Sequence, residues 1–116
     1  MPIPLEITAL VERLNQELDT IEREAASGLN LARAILERFP NNFTVIQISA
    51  FLNTAKFFGE TSRIRLQALV ENLTAVDVIT DESIQELVED LATDLGQAME
   101  TKIRVSQVKT RLDNLQ

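Results

Sequence analysis

The chemistry open to this chain rests on its carboxylates. Eighteen of its 116 residues are Asp or Glu, while His, Cys, Tyr and Trp are all absent. Without His there is no imidazole base for a triad, no helical phosphorelay histidine, no His-held haem and no Glu-x-x-His di-iron site. Without Cys there is neither thiolate chemistry nor a structural Cys/His zinc site. The three glycines are isolated, so a P-loop and a dinucleotide fingerprint are excluded as well. What remains is two acidic pairs spaced three apart, Asp19 with Glu22 and Glu86 with Glu89. Such pairs offer hard oxygen donors of the kind Mg²⁺ prefers.

Whether those pairs can act together depends on the elements that carry them. Ile7, Val11, Leu14, Leu18, Ile21, Ala25, Gly28, Ala32, Ile35 and Phe39 follow one another at steps of four and three. This is the seam of a helix packed in coiled-coil fashion, predicted over residues 5–38. Pro4 suits its lead-in or first turn, as does Pro2, and Pro40 stops it. The Ala25-Ala26-Ser27-Gly28 stretch is the weak point, because Gly costs about 1 kcal/mol relative to Ala in a helix. Continuity is expected nevertheless: folding at Pro40-Asn41-Asn42 sets Ala25 opposite Phe57, where small residues make room for Phe57 and Phe58.

A second helix is predicted over 43–79, with Asn41, Asn42 and Thr44 as turn and N-cap residues. Its seam is Ile48, Leu52, Ala55, Gly59, Ser62, Leu66, Leu69, Leu73 and Val76. About 180° away runs a second apolar row of Ile46, Ala50, Phe57, Ile64 and Ala68, interrupted by Asn53 and Thr61. A helix with two apolar faces is expected between two neighbours, so the chain is read as arranged around this element. The third helix, 82–114, has Thr80 and Asp81 as its caps. It carries Ile84, Val88, Leu91, Leu95 and Ala98, then Val105, Val108, Leu112 and Leu115. The second set reads as rotated from the first, through an extra three-residue step that would overwind or bend the helix. Lys102 falls on the first stripe, its stem free to snorkel.

Three helices of about 50 Å, at 1.5 Å per residue, joined by short turns must run up, down and up. The expected architecture is an all-α antiparallel bundle of three long helices with heptad packing, one domain over 1–116, dimerising into a larger helical bundle. In that rod Asp19 lies near the level of Gln97, about 12 to 16 Å of helix rise from Glu86 and Glu89. One chain therefore does not join the two acidic pairs around an ion.

The charge is unevenly spread. Residues 1–20 and 61–100 sum to −10, and residues 21–60 and 101–116 to +3, within a net −7. Helix three alone accounts for much of this, with acidic residues early and basic ones late, as its dipole favours. The same polarity fits an antiparallel homodimer that sets each acidic end on a basic one and buries Phe57 and Ile64. Glu86, Asp90 and Asp94 form an acidic row at i, i+4 spacing, open to solvent, to a basic partner, or to Arg63 and Arg65 across a helix gap.

The net negative charge argues against nucleic acid and against an anionic membrane surface. The longest charge-free stretch, Phe39 to Ala55, is too short and too polar to span a bilayer. The N-terminal residues lack a signal-peptide pattern, and a cytoplasmic protein is expected. The functional expectation is a non-catalytic helical interaction module, a small acidic scaffold, adaptor or regulatory subunit. It would have no cofactor, metal or catalytic residue, would form a homodimer and would present helix faces to a protein partner. The alternative is an oligomeric carboxylate and Mg²⁺-dependent bundle of pyrophosphohydrolase type, or a ligand-binding bundle, in which Phe57, Phe58 and the small residues near Gly28 border a cavity.

Overall fold

The computed structural model describes residues 3–75 and 79–115. Three helices account for nearly all of them: α1 (Leu5–Arg38), α2 (Phe43–Ala75) and α3 (Asp81–Leu115). They form a rod 58 Å long and 19 by 16 Å across. Each boundary has a local cause. Pro4 immediately precedes α1, its carbonyl accepting the Thr8 amide. The α1–α2 turn is closed by the Phe39 amide on the Ile35 carbonyl and the Asn42 amide on the Phe39 carbonyl. Asn42 Oδ1 then accepts the Val45 amide at 3.2 Å as the cap of α2. At the head of α3, Thr80 Oγ1 accepts the Ser83 amide at 3.1 Å, followed by acidic Asp81 and Glu82 in the first turn. Ile79 lies outside the helix, so α2 does not extend through it as the sequence suggested. Val76, the last residue of the expected seam, and Pro2 lie outside the described residues.

The expected seams of α1 and α2 are the buried sides of those helices. Ile7, Leu14, Leu18, Ile21, Ala25, Ala32 and Ile35 of α1 meet Ile48, Leu52, Ala55 and Leu66 of α2 in one core, joined by Leu91, Ala98, Val105 and Leu112 of α3. Phe39 is the exception: it stands exposed beyond the last turn of α1, its ring 5.8 Å from the Arg38 guanidinium.

α1 is unbroken through Ala25-Ala26-Ser27-Gly28, and packing supplies the reason. A Cβ on Gly28 would stand 2.8 Å from Leu52 Cδ1, so the missing side chain lets Leu52 seat against the α1 backbone. On α2, a Cβ at Gly59 would meet Glu22 Cγ at 2.9 Å and the Leu18 carbonyl oxygen at 3.4 Å. Two glycines thus bring α1 and α2 together from opposite sides of the same seam. Gly28 receives Leu52, and Phe57, which the turn register set opposite Ala25, is exposed, while Phe58 is half-buried against the core.

Two further expectations are corrected. The central element is α1, against which both α2 and α3 pack along their lengths, whereas α2 and α3 touch each other only sparsely. Helix α2 is therefore not sandwiched within the chain. Its second apolar face is simply uncovered. In α3, the stripe does not rotate: Leu91, Ala98, Val105 and Leu112 are all buried at strict seven-residue steps, across the point where a shift was expected, and the helix is continuous. Between them lie half-buried Leu95, Lys102, Val108 and Lys109, while Leu115 is exposed.

Candidate interaction surface

The outer face of α2 is built by the same arithmetic that builds its core face. With Leu52, Ala55, Gly59 and Leu66 held against α1, residues about 180° away must face outward. Ile46, Ala50, Phe57, Ile64 and Ala68 are all exposed. Phe57 retains 68% of its surface, Ile64 70% and Ile46 44%. Phe43, which the sequence reading left out of this row, belongs to it and is also 68% exposed. Its signal was present in the sequence, since it lies three residues before Ile46 and seven before Ala50. Asn53 and Thr61 stand exposed in the same row. Several large apolar groups aligned along one helix form a stripe broken only by Asn53 and Thr61, unlike the single exposed residues common on any surface.

The charged residues are arranged around this stripe and between the helices. Arg63, on the flank of α2, pairs with Glu22 and lies 4.0 Å from Asp19, both on α1. Its hydrogen bond to Glu22 raises the guanidinium pKa further above its already basic ordinary value, against a smaller opposing effect of burial. Asp19 also accepts from Arg23 Nε at 2.9 Å. The first of the two acidic pairs is thus occupied by arginines.

Between α1 and α3, Lys109 Nζ reaches Glu24 Oε2 at 2.7 Å, and one heptad earlier Lys102 Nζ lies 2.5 Å from Glu17 Oε2. Glu17 is the one buried charged residue among those described. Its Oε2 lacks a partner of hydrogen-bond geometry, so Lys102 neutralises it by proximity more than by alignment.

The acidic row of α3 lies elsewhere. Glu86 and Asp90 are exposed and Asp94 is half-buried. Asp90 and Asp94 border a groove of about 310 Å³ between α2 and α3, floored by Leu14, Leu18 and Leu91 and edged on the α2 side by Phe58 and Arg65. Arg65 shares this groove with the two Asp residues without an ion pair among the described residues, while Arg63 is turned toward α1. Among the described residues no three Asp or Glu converge where they could hold a metal ion. Nor is any helix among them long and apolar enough to cross a membrane.

No family model, curated protein or solved structure matches this chain. The surface is therefore read on its own chemistry.

Proposed function

We propose that the chain is a non-catalytic protein-interaction module, a small acidic scaffold, adaptor or regulatory subunit that self-associates through the outer face of α2. The observation that carries this reading is the exposed row of Ile46, Ala50, Phe57, Ile64 and Ala68 running along the rod. Burying apolar surface stabilises an association by about 25 cal/mol per Å² before the costs of binding are subtracted. With Phe43 the stripe carries four large exposed apolar side chains on one helix face, an adhesive feature of the surface. The absence of His, Cys and Tyr leaves a short set of catalytic groups, the carboxylates foremost. The pair closest to the core, Asp19 and Glu22, faces Arg63, which favours an ion-pair role over metal binding. In this reading the polar faces and the α2–α3 groove are left for a protein partner.

The test is sedimentation velocity of the parent chain beside Phe57→Asp. Phe57 makes no core contact worth the name at 68% exposure, so the substitution leaves the fold intact. It would place a charge in the middle of the stripe, where desolvating it is costly. The parent should sediment as a dimer and the variant as a monomer of unchanged helicity. A variant that stays dimeric would remove this face from the account.

A further inference from the structure

Resting on the self-association proposed above, we infer that the partner of the α2 outer face is a second copy of the same helix, antiparallel, with the two-fold axis passing beside Phe57. The inference comes from a symmetry in the face itself. Counting from Phe57, six exposed residues of the row fall at −11, −7, −4, +4, +7 and +11: Ile46, Ala50, Asn53, Thr61, Ile64 and Ala68; Phe43, at −14, faces exposed Glu71 at +14 and lies outside this matched set. The six positions are mirror-related, and so is their chemistry.

An antiparallel copy centred on Phe57 sets Ile46 against the partner copy's Ala68, Ala50 against its Ile64, and Asn53 against its Thr61. Large side chains meet small ones, as facing layers require. The two polar groups that interrupt the stripe meet each other, where an amide and a hydroxyl are able to hydrogen-bond and to fix the register. Phe57 meets its own copy at the axis, an aromatic pair of the kind that adds to area burial. A two-fold contact demands this self-complementarity, and a contact with an unrelated helix does not.

Charge points to the same arrangement. The axis lies two residues from the middle of α2 (Phe43–Ala75), so the two rods overlap along nearly their whole length. Among the described residues each acidic end, summing to −9, is then alongside a basic end summing to +3. A parallel pair would set acidic end beside acidic end, and repulsion of that size disfavours it.

The chain has no Cys, so introduced cysteines report proximity without interference. The experiment compares Ala50→Cys, Ile64→Cys, an equimolar mixture of those two chains, and Phe57→Cys, each oxidised mildly and run on a non-reducing denaturing gel. All three positions are exposed, so the core is untouched. In the antiparallel register two copies of residue 50 stand about 21 Å apart at 1.5 Å per residue, far beyond the roughly 7 Å a disulfide bridges between Cα atoms. The mixture should therefore give on the order of tenfold more covalent dimer than either chain alone. Phe57→Cys should cross-link to itself. The decision rests on the mixture, because Phe57→Cys also removes a ring from the contact.

Cross-linking of Ala50→Cys or Ile64→Cys alone to the level of the mixture would mean a parallel pair. A dimer in which the mixture does not cross-link would mean a different register or face. Either result overturns this inference. Light scattering on the parent chain separates the two levels: a monomer ends the self-association reading and the register with it, whereas a dimer with the wrong cross-links ends the register alone.

Discussion

Lys109 reaches across from α3 to Glu24 of α1 at 2.7 Å, one heptad beyond the pairing of Lys102 with Glu17 at 2.5 Å. These rungs tie α1 to α3 at the seam positions that the α3 stripe fills with lysine, beside the buried Val105 and half-buried Val108. The lysine stems cover the core and their ammonium groups end on α1 carboxylates. Lys102→Met should leave the buried Glu17 without its nearest cation. Because Lys102 is itself more than a third exposed, solvent screens part of the loss, and about 1 to 2 kcal/mol is expected. Adding Glu17→Met should recover most of it. Urea denaturation of the two single variants and the pair checks this, and an additive double variant would show that the two residues do not depend on each other.

Gly96 and Gly59 separate helix propensity from close packing. A Cβ on Gly96 meets nothing within 4 Å, whereas one on Gly59 meets Glu22 Cγ at 2.9 Å. Gly96→Ala should therefore raise stability by about 0.8 to 1 kcal/mol. Gly59→Ala should gain less or lose outright, because Glu22 must move and takes its pairing with Arg63 along. Thermal melts of the two variants decide it, and equal gains would mean that the α1–α2 contact is looser than described.

These two cases also show what was legible in the sequence. The α1 and α2 seams could be read because their apolar residues alternate by three and four almost without interruption. The buried residues of α3, Leu91, Ala98, Val105 and Leu112, were legible too, but not that they share one unrotated stripe, because Lys102 and Lys109 occupy seam positions and a pattern of residue types does not show that a charged side chain has a carboxylate waiting on another helix. The outer row of α2 was legible as apolar. That nothing within the chain covers it was not, since periodicity reports the character of a face but not its neighbours; hence α2, and not α1, was expected at the centre. Leu52, in place of Phe57, fills the space beside Gly28, because a turn fixes register only to within a few residues. Of the acidic row, Glu86 and Asp90 are exposed and Asp94 is half-buried, and Arg63, a candidate to relieve it, is drawn instead to Glu22 and Asp19.

Divalent metal is the cheapest test of the catalytic alternative. With Asp19 and Glu22 facing Arg63, and Glu86 and Glu89 both exposed on α3, millimolar Mg²⁺ or Mn²⁺ should leave Tm unchanged. A ligand bound only by the folded chain at a hundred times its Kd would stabilise it by about 2.7 kcal/mol. A clear upward shift in scanning fluorimetry would revive the carboxylate-dependent reading.

Salt dependence follows from the charge distribution. If the acidic ends lie alongside the basic ends, raising ionic strength shortens the screening length from about 10 Å at 0.1 M to about 3 Å at 1 M. The dimer should then dissociate more readily, though the apolar stripe keeps it from vanishing. A dissociation constant that rises severalfold across this range, measured by dilution, fits the antiparallel pair. One that falls would point to like-charged ends held together.

Whether self-association occupies the outer face of α2 is read from the absolute molar mass. Light scattering after size exclusion, at low and at high salt, should return twice the 13.0 kDa of the single chain. A mass of one chain at both salt concentrations would contradict the account, and would leave Ile46, Phe57 and Ile64 as a bare stripe for another protein's helix.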